Sequence, residues 1–509
     1  MCRSSEDQLE NLAISQCWRP RSLYAAVFTW ISIAGGRFLA PFLEHEGGLT
    51  ASQIGFVFAL QQVITVLMSP VAGVLADAYE QRLQAKNATG HTRGSGRVQV
   101  LVWGIIGGTV VVLLHGVRYC LPHVEFFQSV SWYAILRIFF SVSNAFTFPV
   151  LDGICLDYLQ RVSSMQDYGQ ERLYGAISWA ITHFLFGVFL DFFGYVASYP
   201  LTLAATGAFV MTVFFYNKAS ENKTMDQARI MKRHSDIIQE DDKMMEDNDY
   251  SSAEIENAKP VVDSPNGEGS FLLSIAKILF LSCFGVAFVI ALVSLSAGQA
   301  VVESLVFLFF ETLGSSNLMM GVTVVLTVAF EIPIFHVAPK LLERFGAVGL
   351  LLIATTSYTT RVLGYTFIPD GKTFLVLGLE PLHGVTYACR STSGVDFMSS
   401  LSPPGFESSG QGLLQMLTGI GSVAGLSGGG YLEETYGART MYRVAALVAC
   451  LGCLPLVIAT VLGVNSSLEL QRGNHSMLPQ EERGTGERCH GTLELVRADA
   501  ESSQSHQSG

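Results

Sequence analysis

The sequence predicts an all-α integral membrane protein with twelve transmembrane helices in two six-helix bundles, and three observations carry that expectation. The chain of 509 residues is 50% hydrophobic and only 15% charged, where a soluble protein carries roughly 25% charged residues. Its charges cluster at the two ends and in one central stretch, and long apolar runs fill the rest, as in membrane-spanning segments. There is also an internal echo. Gly187-Val-Phe-Leu-Asp-Phe-Phe-Gly194 matches Gly430-Tyr-Leu-Glu-Glu-Thr-Tyr-Gly437 at an offset of 243 residues, and Gly169-Gln170 matches Gly410-Gln411 at 241. Two matches at nearly one offset favour a duplicated unit.

A span needs about 20 largely apolar residues. In order along the chain, the first series lies near residues 23–43, 51–76, 98–117, 131–157, 173–193 and 200–217. The second lies near 275–312, 317–338, 347–367, 373–398, 407–432 and 438–464. The long run 275–312 reads as one helix, because Val306-Phe307-Leu308-Phe309-Phe310 keeps it apolar to its far end. The spans group into halves 23–217 and 271–464. A tail (1–22), an acidic linker (218–270) and a second tail (465–509) carry much of the net charge of −12. Gln239-Glu240-Asp241-Asp242 and Met245-Glu246-Asp247-Asn248-Asp249 read as solvated, disordered linker.

Orientation follows from the Lys/Arg bias of the loops. With the N-terminus inside, the cytoplasmic segments hold 22 of the 31 Lys/Arg residues, and the outside loops hold Arg118, Lys372 and Arg439. Both termini and the linker are therefore expected in the cytoplasm. The sequons at Asn87, Asn222, Asn465 and Asn474 then face away from glycosylation.

Several function classes fall away. No basic patch is interleaved with aromatics, so nucleic acid is not indicated. No nucleotide loop, metal-ligand cluster or nucleophile–base set is present, so neither catalysis nor a cofactor is expected. The nine cysteines are scattered; only Cys120 falls in an outside loop, so no external disulfide forms. Cys450 and Cys453 lie inside an apolar helix and read as packing.

Charges inside a span are costly, about 2.5–3.5 kcal/mol each at a helix centre. Arg37, His115, Arg137, Asp152, His183, Lys277, Glu303, Glu331, His336, Arg361, Glu380, His383, Arg390 and Asp396 lie in or near spans. Lys277 and Asp396 are close enough to helix ends to snorkel, and His115 and His183 suit helix-packing hydrogen bonds. Glu303, Glu331 and Arg361 sit well inside successive spans. Glu380, His383, Tyr387 and Arg390 follow 3-4-3 spacing, which puts all four on one helical face. Two roles stay open for this set: a titratable coupling network, or a fixed ion-pair network that holds the helices together. In the first half, Asn144, Asp152, Arg172 and Trp179 combine hydrogen-bonding groups, a guanidinium fork and an aromatic face. That set suits a polyhydroxylated ligand, or else Asp152 pairs with Arg172 to lock two helices.

These residues also carry a resemblance. Gly73-Val-Leu-Ala-Asp77 and Gly96-Arg97-Val-Gln-Val-Leu101 resemble the two parts of the major facilitator superfamily signature, interrupted here by an insertion over 80–95. Asn144-Ala-Phe-Thr-Phe-Pro-Val-Leu-Asp152 and Gly169-Gln-Glu-Arg172-Leu-Tyr-Gly175-Ala-Ile-Ser-Trp179 resemble the sugar-site stretch of the lactose permease branch. Glu331-Ile-Pro-Ile-Phe and Glu380-Pro-Leu-His-Gly384 are more similar to the "major facilitator superfamily domain-containing protein 6-like" group.

The resemblance implies a major facilitator fold, with substrate contacts from Asp152, Arg172 and Trp179, and Gly73, Asp77 and Arg97 as a gating loop. It implies a charge network at Glu303, Glu331, Arg361 and His383. Asp152 is one methylene shorter than the family's glutamate, so galactoside binding is not implied. Glu380 stands where lactose permease has a lysine, and Thr386 where it has the proton-carrying glutamate. Proton coupling would then fall to Glu331 or Glu380. The expected function is secondary active transport of a small polar solute, sugar- or nucleoside-like, coupled to protons by alternating access. The competing class is a membrane receptor or scaffold that keeps the fold without transporting.

Overall fold

A computed structural model describes residues 19–87, 96–162, 168–218, 279, 281–401 and 407–463. Residues 1–18 of the first tail, 219–270 of the acidic linker, the second tail, residues 88–95 of the insertion and residues 275–278 of the expected seventh span fall outside these residues. One compact unit runs to Val457; a second begins at Ile458, of which only the last residues of the final helix and the turn after it are described.

The described residues form helices and short turns, as the apolar blocks dictate. In the first half these are α1 (Pro20–Gly35), α2 (Leu39–His45), α3 (Ala51–Asn87), α4 (Gly96–Leu114), α5 (Val130–Ala145), α6 (Phe148–Val162), α7 (Tyr168–Phe193) and α8 (198–218). In the second half they are α9 (Cys283–Thr312), α10 (Asn317–Thr366), α11 (Pro381–Leu401), α12 (Glu407–Tyr436) and α13 (Ala438–Val461). Nine stretches among the described residues are long and apolar enough to cross a membrane, where the sequence led us to expect twelve. The difference lies in three places. The single stretch Asn317–Thr366 is broken at Gly346 (φ 66°, ψ 174°), a backbone region only glycine enters freely. Pro381–Leu401 and Glu407–Tyr436 are long enough, but Gly, Ser, Thr and charged residues dilute their hydropathy.

Element boundaries differ from expectation for local reasons. The first span is two helices, because the chain extends at Gly36, where a Cβ would meet His183 Nε2 at 2.7 Å. The fourth is also two, α5 and α6; Pro149 in the first turn of α6 has no N–H to continue the ladder. Helix α3 runs to Asn87, well past the expected end of the second span at residue 76, so the start of the insertion is helical. The expected tenth span, 373–398, begins instead with a 3₁₀ turn, Thr373–Gly378, and its α-helix starts at Pro381.

The core of the first half gathers Leu23, Tyr24, Val27, Trp30, Leu101, Ile105, Phe140 and Phe209. Trp30 stacks on Phe140 and donates its indole N–H to Thr109 Oγ1 at 2.9 Å. Large apolar side chains also point outward, Trp103 (71% exposed) and Phe192 (78%) among them. Such a girdle is a liability in water and natural in lipid.

Helix α10 packs on α7, and α12 on α3, joining the two halves. Glycines permit the approach: Gly55 and Gly430 face each other so closely that a Cβ on either would lie 3.0 Å from the other's Cα. Left-handed glycines at Gly48, Gly194, Gly314, Gly371 and Gly437 turn the chain after α2, α7, α9, α10 and α12. These turns gather at one end of the bundle, hereafter the turn face.

Candidate functional site

In the first turn of α11, His383 lies between two guanidinium groups from different halves. Arg361 Nη1 is 2.5 Å from its Nδ1, and Arg37 Nη2 is 3.0 Å from its Nε2. All three side chains are buried. A neutral imidazole offers one lone pair and one N–H, so it can accept from only one of the two arginines. Arg361 has a further acceptor: its Nη2 donates to Glu380 Oε2 at 2.9 Å, and both side chains are almost fully buried. Each arginine still keeps one buried nitrogen, Nε of Arg361 and Nη1 of Arg37, with no hydrogen-bond partner among the described residues.

The local sequence explains the Glu380 end of this cluster. Arg361 and Tyr365 are four residues apart on the second arm of α10 and so share a face. The 3₁₀ turn and Pro381 fix Glu380 just ahead of α11, opposite that face. Glu380 then accepts from Tyr365 at 2.5 Å and from Thr327 at 3.0 Å, as well as from Arg361. Gly384 brings α11 onto α10, since a Cβ there would lie 2.6 Å from the backbone nitrogen of Glu331.

The other second-half residues line the same region more loosely. Glu303 on α9 accepts from Gln299 at 3.0 Å, lies 3.9 Å from His383 Nε2, and is 40% exposed. Glu331 is within coulombic reach of Glu303, Arg37 and Arg172. Arg390 donates to Ser296 at 2.8 Å. The Thr386 hydroxyl is spent on its own helix, donating to the Leu382 carbonyl at 2.8 Å.

In the first half, Asp152 on α6 accepts from the Tyr24 hydroxyl at 2.5 Å. Trp179 on α7 lies 4.3 Å, centroid to centroid, from His183 and meets Phe28 edge-on; Phe28 in turn meets Phe148 edge-on at 5.4 Å. Arg172, exposed in the first turns of α7, is within coulombic reach of Glu331 and Tyr387 in the other half. Its neighbour Glu171 is buried and accepts from the Arg21 backbone N–H at 2.8 Å. Asn144 ends α5 with a buried Oδ1 that has no partner among the described residues. Of the expected gating residues, Gly73 and Asp77 lie on α3, the Asp77 side chain falling outside what the structure describes, and the Arg97 backbone N–H donates to Glu80 Oε2 at 2.9 Å.

The structure thus unites Glu303, Arg361, Glu380 and His383. It adds four residues that the sequence reading did not assign to a site: Arg37, Tyr24, Thr327 and Tyr365. Arg37 was detectable as a charge in an apolar span. Tyr365 was detectable from its spacing to Arg361. Tyr24 and Thr327 gave no signal. At the turn face, ligand atoms of Glu44, His45 and Glu311 lie within 4.8 Å of one another, a grouping that the sequence separation hides.

Comparison with known proteins gives a consistent picture. The model of the MFS_1 like family matches residues 21–444. The maltose permease of Geobacillus stearothermophilus is 20% identical over 423 residues, covering 82% of this chain and 89% of that protein. Among solved structures, the nucleoside transporter NupG superposes with a TM-score of 0.62 at 14% identity, covering 86% of this chain and 98% of that one. A bacterial homologue of the iron transporter ferroportin, in an inward-facing state, superposes with a TM-score of 0.58 at 14% identity, covering 88% and 98%.

Proposed function

This chain belongs to the MFS_1 like family, and on that premise we propose that it is a secondary transporter of a small polar solute, working by alternating access. The observation that carries the reading is His383, held between Arg37 of the first half and Arg361 of the second at 3.0 and 2.5 Å. A contact of this kind must break and re-form whenever halves 23–217 and 271–464 rock. Because one imidazole cannot satisfy two cationic donors, it responds to any new acceptor nearby.

The solute sits between the Asp152, Arg172 and Trp179 face of the first half and the His383 cluster of the second. A hydroxyl-bearing ring fits: Trp179 covers its apolar face, and Asp152 accepts from its hydroxyls. The maltose and nucleoside relatives support a sugar- or nucleoside-like compound. Protons enter through Glu303 and Glu331 rather than Glu380, whose oxygens already accept from Arg361, Tyr365 and Thr327. Both termini are cytoplasmic and the turn face is external, as the Lys/Arg bias requires.

Thermal unfolding of the purified protein against a panel of sugars, nucleosides and organic acids tests this reading. A ligand that binds only the folded state raises the midpoint with the logarithm of its concentration over Kd. A rise with a sugar or nucleoside that is lost in Asp152→Asn supports the reading. A rise confined to other compounds, or one that survives Asp152→Asn, overturns the proposed site.

A further inference from the structure

We propose that Asp191 and Glu434 are a pair of repeat-related latches that hold the turn face closed, each by capping a helix of the opposite half. Asp191 lies in the last turn of α7. Its Oδ1 accepts from the Asn317 backbone N–H at 2.8 Å and the Asn317 side-chain amide at 3.0 Å, and its Oδ2 accepts from the Leu318 N–H at 2.8 Å. It therefore caps the N-terminus of α10. Glu434 lies in the last turn of α12. Its Oε2 accepts from the Thr50 hydroxyl at 2.8 Å and the Ser52 N–H at 3.0 Å, and so caps the N-terminus of α3.

Three features mark the two contacts as one device used twice. The segments share the pattern glycine, acid, glycine: Gly187, Asp191 and Gly194 against Gly430, Glu434 and Gly437, all at an offset of 243 residues. Both closing glycines are left-handed, with φ of 68° and 82°. Both opening glycines sit against the backbone of the capped segment, Gly187 at the Asn317 carbonyl and Gly430 at the Ala51 carbonyl.

The electrostatics make the contacts depend on conformation. A carboxylate in the last turn of its own helix faces the negative end of that helix's dipole, an unfavourable place for an anion. Each carboxylate is compensated by the positive N-terminus of a helix in the other half. That compensation exists while the turn face is shut and is lost when it opens. Charge is thus placed where it disfavours the open state, and no solute is required for the effect. Between the latches, Glu311 accepts from Tyr195 at 2.6 Å and is 3.2 Å from His45, adding a further link across the same face.

Hydrogen–deuterium exchange of the full chain in nanodiscs tests the proposal, read at the N-terminal turns of α3 (residues 50–56) and α10 (residues 316–322). Asp191→Asn and Glu434→Gln preserve shape and remove the charge. Each is expected to raise exchange about tenfold, the scale of one charged cap. The rise should occur at both turns, because opening the face exposes both. The double variant is expected to approach a hundredfold, as independent sites add. If one variant does not fold, the other is read at the distant turn and decides alone. Exchange that rises only at the turn each residue caps makes these ordinary local caps and overturns the latch, as does no rise at either turn.

Discussion

Glu380→Gln gives a sharp test of the buried cluster. The substitution keeps the volume and one acceptor oxygen but removes the charge that faces Arg361 at 2.9 Å. Arg361 and Glu380 are about 1% and 0% exposed, so solvent does not replace the lost partner. Removing one member of a buried pair costs about 3–5 kcal/mol, because the other is left uncompensated. Gln can still accept from Tyr365, so the lower end, about 3 kcal/mol, applies. Chemical unfolding in detergent measures it, with Arg361→Gln and the double variant completing a cycle. The pair should show a coupling energy of about 2 kcal/mol or more, since the two charges share one desolvated site. If Glu380→Gln lies within about 0.5 kcal/mol of wild type, or the two substitutions simply add, the pair is not the anchor described here.

Other predictions follow from the same geometry. Tyr365→Phe removes a hydroxyl bonded to a buried carboxylate and should cost about 1.5–3 kcal/mol in the same unfolding assay. Gly346→Ala forces a side chain into a glycine-only backbone region and should lower stability by about 1–3 kcal/mol, seen as an earlier unfolding midpoint. Gly384→Val places carbon against the α10 backbone at Glu331, and overpacking of about 1–3 kcal/mol should appear as reduced stability. Tyr24→Phe leaves Asp152 without the hydroxyl donor at 2.5 Å; it should weaken solute binding in the thermal-shift assay while moving the ligand-free midpoint little.

Much of the architecture was legible because lipid imposes long apolar runs, and the 243-residue echo even marked two segments that occupy equivalent places in the halves. Pro149 stands at the break in the fourth span, which the expected single run 131–157 passed over. The Gly35-Gly36 pair stands at the break in the first span, which the expected single run 23–43 also passed over, and the close approach of His183 to Gly36 is visible only in the fold. Residues 80–87 read as loop because they are polar, yet a helix that leaves the membrane has no reason to stay apolar. In the site, helical spacing put His383, Tyr387 and Arg390 on one helix, α11, but Glu380, expected on the same helical face, lies ahead of that helix. It could not supply partners: Glu380 bonds residues 15, 19 and 53 positions away, and Arg37 meets His383 across 346. Those pairings belong to tertiary structure, where periodicity is silent. The expected choice between Asp152 as a ligand group and Asp152 as an ion-pair partner met a third contact, the Tyr24 hydroxyl.

The central claim is that this chain moves a solute through the space between Asp152 and the His383 cluster. Uptake of radiolabelled hexoses, disaccharides and nucleosides into proteoliposomes, with and without a pH gradient, tests it most directly. Saturable uptake of one of these compounds, accelerated by the gradient and lost in Asp152→Asn, is the predicted result. Binding of the same compound without flux would contradict the claim and identify a receptor that retains the transporter fold.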